Sequence, residues 1–126
     1  MSRRRTFTQA VDGMRCLPAL LHWASSRLQV CWLDGKGYAA AEGDRVGLLA
    51  VGAIAELHST QNSLANFNTL FKDKKDWLFG FLSYDLKNEL ECLKSNNQDS
   101  FKFPHLHFFC PEKCPDINLK IFTILN

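Results

Sequence analysis

The sequence predicts an α+β fold: a largely antiparallel sheet with a few helices packed against it. Three observations lead there. Helix-like and strand-like patterns alternate irregularly along the 126 residues. The loops between the strand-like runs are compatible with hairpins, Asp34-Gly35 being one such turn. No regular βαβ repeat and no Gly-x-Gly-x-x-Gly occurs, which sets aside a parallel, doubly wound sheet.

Each element follows from its pattern. Residues 8–28 read as the first helix, with Val11, Met14, Leu17, Leu20, Leu21, Ala24 and Leu28 at three-and-four spacing. Pro18 interrupts it, and an interior proline costs about 3 kcal/mol, so a break or a fresh helix start is expected there. Trp23 is expected as a core anchor. Residues 28–33 form a short apolar run, a strand, and 38–41 a return strand. Residues 45–53 are apolar after Arg45 and include Gly47 and Gly52. They suit a central strand covered on both faces. Residues 63–71 predict a helix with Leu64, Phe67, Leu70 and Phe71 on one face and Asn62 or Ser63 as cap. A solvated turn over 72–76 leads to a strand over 77–83 and a short helix over 85–93. A polar loop over 95–100, a strand over 105–110 and a β-prone segment over 118–125 complete the chain.

Composition bounds the function classes. Hydrophobic residues make up 46% and charged residues 22%, enough to bury a core, and the length suits a single domain over 1–126. Fifteen basic residues against 13 acidic leave a net charge of +2, too balanced to imply a nucleic-acid or membrane partner. Arg3, Arg4 and Arg5 read as a solvated tail. No apolar run approaches the ~20 residues that span a bilayer, and no secretory signal is evident. The five cysteines, Cys16, Cys31, Cys92, Cys110 and Cys114, are an odd and scattered set. They read as reduced thiols in a cytoplasmic protein.

No catalytic cluster is expected. Tyr84 and Asp85 sit at a strand-to-helix junction, but Asp85 and Ser83 read first as helix caps worth about 1 kcal/mol. Glu89 and Glu91 are two apart and face different sides of a helix, so they form no acid–base pair. Cys110 and Cys114 make a C-x3-C pair with His105 and His107 nearby. On a strand, however, the two histidines share one face and Cys110 points the other way, so no metal site is expected.

Two segments carry a resemblance. Asp76-Trp77-Leu78-Phe79-Gly80-Phe81-Leu82-Ser83-Tyr84-Asp85-Leu86-Lys87-Asn88-Glu89-Leu90-Glu91 resembles the "G-Y-L-S-Y-D-L" segment of the aminodeoxychorismate synthase component I family, close kin of anthranilate synthase component I. Phe103-Pro104-His105-Leu106-His107-Phe108-Phe109-Cys110-Pro111 is similar to the "P-D-L-H-F-F-x-P" that follows in those chains. The likeness covers roughly residues 15–126, most strongly 76–111.

The resemblance implies a structural or regulatory N-terminal domain of the same α+β class, itself without catalysis. It implies a separate C-terminal chorismate-binding domain that holds Mg2+, and a glutamine amidotransferase subunit as partner. In that reading, Leu33, Asp34 and Arg45 are what remains of the family's amino-acid site for tryptophan, with Gly35 and Gly47 where the family has serines. Aminodeoxychorismate synthase is the leading member, serving para-aminobenzoate and folate synthesis. The alternatives are the corresponding domain of anthranilate synthase, or a stand-alone ligand-binding or interaction domain. An apolar surface around 106–109 and an open strand edge at 119–125 are expected to drive self-association.

Overall fold

A computed structural model of the chain describes residues 4–35, 45–91, 103–118 and 121–125. Side chains are not described for 13, 14, 45, 118 and 121–125. The expected return strand at 38–41 and the polar loop at 95–100 lie outside the described residues. The class is α+β, with every strand pairing antiparallel. The chain sorts into two compact units, one formed by Ile54–Cys110 and the other by Arg3–Ala53 with Pro111–Asn126.

The second of these is built on a five-stranded sheet. Its strands are β1 (Thr6–Ala10), β2 (Val30–Asp34), β3 (Arg45–Val51), β7 (Cys114–Asn118) and β8 (Ile121–Leu125), in the order β1-β8-β7-β3-β2. Helix α1 (Gly13–Ala24) covers one face. Residues directly opposite across antiparallel strands share a face, so Trp32↔Leu49 and Val30↔Val51 lie together. Ala24, Leu49 and Val51 are shut from solvent there, with Leu20, Leu21, Trp23 and Trp32 packed around them. Trp23 is thus a core anchor, and the Arg27 guanidinium lies 5.3 Å from its ring centroid.

Several expectations are corrected here. Residues 6–10 are strand rather than helix, because β-branched Thr6 and Thr8 extend readily and β8 offers a partner, Thr6↔Leu125 to Ala10↔Ile121. The helix starts at Gly13 because Asp12 caps it: its Oδ1 accepts from the Arg15 N–H at 3.2 Å. The helix runs unbroken through Pro18; burial of its apolar face offsets the missing N–H. Strand β7 was not foreseen, since Pro115 and Asp116 argue against a strand. The ladder from β7 to β3 runs over Asn118 to Asp116 and returns only as a bridge at Lys113, so Pro115 sits in the gap. The edge expected to be open is closed, because β8 lies between β1 and β7. Arg4 is not a solvated tail residue either: its guanidinium donates to the carbonyls of Pro111 at 2.6 Å and Glu112 at 3.3 Å.

The first unit is a three-stranded sheet, β4 (Ala55–Ser59), β6 (Leu106–Cys110) and β5 (Phe79–Leu82), with β6 in the centre. Helix α2 (Ser63–Lys74) covers one face, its Phe67 edge-on to Phe108 with ring centroids 4.9 Å apart. The short helix α3 (Leu86–Leu90) joins β5 toward β6. Leu106 and Phe109 are buried, so 106–109 is an inner strand and not the apolar surface expected. β5 and β6 approach so closely at Gly80 that a Cβ there would meet Phe108 Cα at 2.6 Å.

Candidate functional site

The expected amino-acid site lies at the end of β2. Leu33 is 51% exposed, and Asp34 follows it on the opposite face of the strand. Asp34 lies opposite Gly47 in the ladder. The space that a serine side chain at 47 would use belongs to this chain's own Trp32, whose indole lies against the position. A Cβ at Gly47 would also come within 2.7 Å of the Leu33 carbonyl oxygen. The side chain of Arg45 is outside the described set. On the opposite face of β2, burial pushes the Cys31 thiol's pKa up. Among the described residues, no disulfide joins Cys16, Cys31, Cys110 or Cys114.

Tyr84 is 82% exposed, and Lys87 Nζ sits 4.3 Å from its ring centroid. Asp85 is in helical conformation and its side chain makes no capping hydrogen bond, so that cap reading is corrected too. Ser83 Oγ is buried with no hydrogen-bond partner among the described residues. Its N–H donates to the His105 carbonyl at 2.9 Å.

The functional side chain missed by sequence is Glu89. It leaves α3 and reaches the start of α2, 26 residues earlier in the chain. Oε1 accepts from the Ser63 N–H at 2.8 Å, and Oε2 accepts from the Ser63 hydroxyl at 2.6 Å. Asn62 adopts the left-handed conformation and makes no side-chain cap, so Glu89 does that work from another helix. A carboxylate at a helix N-terminus also meets the favourable end of the helix dipole. His105 Nδ1 lies 2.6 Å from the same Oε2. Burial works against the charge of Glu89. The hydrogen bonds from Ser63 and His105, with the attraction of His105, outweigh it and hold the carboxyl below its ordinary pKa.

Ser63, Glu89 and His105 look like catalytic parts, but their order is wrong for a nucleophile. In a triad the imidazole stands between hydroxyl and carboxylate. Here the carboxylate stands between them, so the imidazole does not meet the Ser63 hydroxyl. Ser59 completes the network: Asn66 Nδ2 donates to its Oγ at 3.0 Å, and its own hydroxyl donates to the Gln61 carbonyl at 3.0 Å. An open cleft of about 460 Å³ lies over this network, lined by Gln61, Ser63, Leu64, Leu86, Glu89 and Leu90. Its charged wall is the Glu89 carboxylate, which is held by Ser63 and His105.

On the face of the sheet away from α2, two cross-strand rows lie side by side. One is His58–His107–Phe81 and the other Glu56–Phe109–Phe79. The His58 and His107 rings stack at 3.9 Å, 24° from parallel. Glu56 Oε1 is 3.3 Å from His58 Nε2 and 3.5 Å from His107 Nε2. His105 and His107 were expected to share a face and do not. β6 starts one residue later than expected, at Leu106, and His105 lies in the bend before it, free to turn to Glu89.

Among the described residues no helix is long and apolar enough to cross a membrane. No family model, no curated protein and no solved structure matches this chain.

Proposed function

We propose that this chain is the N-terminal, non-catalytic domain of a component I enzyme that aminates chorismate, with aminodeoxychorismate synthase the favoured member. The observation that carries the reading is the pair of segments over 76–91 and 103–111. They provide β5, α3 and β6. Their distinctive residues do framework work: Gly80 admits the close approach of β6, Ser83 bonds the His105 carbonyl, and Glu89 ties His105 to α2. Segments used in this way are suited to a domain that supports chemistry carried out elsewhere.

In this reading the C-terminal chorismate-binding domain supplies the reaction and its Mg2+, and a glutamine amidotransferase subunit supplies ammonia. The protein works in the cytoplasm, and its product serves folate synthesis. In this reading the amino-acid site is vestigial, and what supports that is Trp32 lying where a side chain at 47 would go.

Incubating the pure chain with chorismate, ammonium and Mg2+ tests the division of labour, with no product expected. The chain is then added to the C-terminal domain of a component I enzyme, and sedimentation velocity is expected to show a complex. Product made by the chain alone and lost on Tyr84→Phe or Asp85→Asn, or the absence of any complex, would refute the reading. Calorimetry with tryptophan is expected to show no micromolar binding.

A further inference from the structure

We propose that Glu56, His58 and His107 form a site for a divalent transition-metal ion, Zn2+, on the sheet face away from α2. The three ligand atoms, one carboxylate oxygen and two imidazole nitrogens, all lie within 4.8 Å of one another. The backbone places them there. Glu56 and His58 are two apart on β4 and share a face, and His107 on β6 is the register partner of His58.

The geometry is close to what such an ion needs. Four ligands at 2.0–2.1 Å around tetrahedral zinc stand about 3.4 Å from one another. Two of the three distances are already there, 3.3 Å from Glu56 to His58 and 3.5 Å from Glu56 to His107. The third, between the histidines, closes by turning the His58 ring, whose side chain is 57% exposed and so has room to turn.

The burial pattern supports the same reading. His107 Nε2 is shut from solvent and has no hydrogen-bond partner among the described residues; at 3.5 Å the Glu56 oxygen is long for one. A buried ring nitrogen left in this way costs free energy, of order 1–3 kcal/mol, and an ion on that nitrogen would remove the penalty.

The donor set selects the ion. Two imidazoles and one carboxylate, with no thiolate, suit zinc and its neighbours, whereas Ca2+ and Mg2+ take oxygen cages. Three protein ligands leave a fourth position for water, and Glu56 and His58 face solvent on that side. The ion would clip β4 to β6 across the ladder. The proposal rests on the distances among these three side chains and uses no step of the chorismate reading.

The test is titration of the intact chain with Zn2+ by calorimetry and with Co2+ by visible absorption. One equivalent is expected at micromolar affinity or tighter. Co2+ should give the bands of a four- or five-coordinate ion without the intense near-ultraviolet absorption of thiolate ligands. His58→Ala, at an exposed position that leaves the fold intact, and His107→Ala should each weaken Zn2+ by more than the roughly 10–100-fold that losing an outer-shell partner costs. The Cys110→Ser/Cys114→Ser double variant should bind as the parent does. Binding that survives His58→Ala undiminished, thiolate absorption that vanishes in the cysteine variant, or no binding at all would each overturn the site.

Discussion

Under α1, the five-stranded sheet buries hydrocarbon: Leu49, Val51 and Ala24 are closed from solvent and two tryptophans pack beside them. The three-stranded sheet buries Leu106 and Phe109 in the same manner, yet ionisable groups meet on both sides of it. Glu89 joins His105 on the side of α2, and Glu56 joins two histidines on the other. The difference teaches where chemistry can enter a small α+β protein. Alternation along a strand sends successive side chains to opposite faces. A wide sheet with one helical cover uses that to make a core. The narrow sheet sets polar side chains on neighbouring strands facing each other among aromatic rings. The amino-acid site that the resemblance implies, at Leu33 and Asp34, lies at an exposed end of β2, and the neighbouring space at Gly47 is taken by Trp32.

The largest effects should come from the hydrocarbon itself. Leu49 and Leu106 are both fully buried, one in each sheet. Truncating either to alanine is expected to cost about 2–5 kcal/mol, the lost transfer energy plus the cavity left behind, read from urea midpoints. A cost near zero for Leu106→Ala would mean the smaller sheet is held by its polar ties, and the contrast drawn above would have to be reversed.

Glycine substitutions sharpen the comparison. Alanine at 80 would strike the backbone of the facing strand, and alanine at 47 would strike chiefly the Trp32 side chain. Each is expected to cost about 1–3 kcal/mol by overpacking, Gly80→Ala toward the upper end because backbone yields less. The pair separates on rescue: Trp32→Leu should recover part of the cost of Gly47→Ala, while trimming Phe108 should recover nothing for Gly80→Ala. Equal rescue at both positions would show that the indole is not what crowds position 47.

Glu89→Gln probes the polar side. Removing the carboxylate leaves Ser63 and His105 with weaker partners, so a loss of about 1–3 kcal/mol is expected near neutral pH. The pH dependence follows from the lowered carboxyl pKa. In the unfolded chain a glutamate titrates near about 4.3. Above that value both states are ionised and the stabilisation is fully present. As pH falls below it, the unfolded chain takes up the proton first, and the stabilisation disappears as pH drops through the folded value. The gap between parent and Glu89→Gln in urea midpoints should therefore narrow in acid. A gap that widens in acid would mean that Glu89 is protonated in the folded state.

How much of this was legible beforehand depended on range. The apolar run behind β3 and the strand–helix–strand order of 77–110 were visible, because each is a local pattern. Only half of the stripe expected on α2 turns out as expected: Phe67 and Leu70 are half-buried and Leu64 and Phe71 are exposed. Strand β4 was passed over: Ala-Glu-Leu-His-Ser alternates, but five residues with two charged or ionisable ones resemble a loop. β1 and β7 were missed because their pairing partners are distant in sequence. Glu89 was weighed only against Glu91, its near neighbour, while its partners lie 26 and 16 residues away. With β4 unread, the placing of Glu56 and His58 on one strand face went unread as well. Completion of the cluster by His107 needs the register of β4 against β6.

The smallest expected effect is also the most discriminating for the outer sheet face. In metal-free buffer His58→Ala removes a half-exposed ring from a stack and a hydrogen bond with an exposed partner. Exposed pairs contribute about 0–1 kcal/mol, and surface substitutions mostly stay within about 0.5 kcal/mol. The variant should therefore melt within a degree or two of the parent, a shift of the size about 0.5 kcal/mol gives a domain of this length. Adding Zn2+ should separate them. An ion that binds only the folded chain raises its stability in proportion to the logarithm of the free ion over its dissociation constant, so the parent should gain several degrees and His58→Ala almost none. A large loss in metal-free buffer, unchanged by Zn2+, would identify the stacked histidines as a packing feature of the ladder and leave the three-stranded sheet with polar contacts but no ligand.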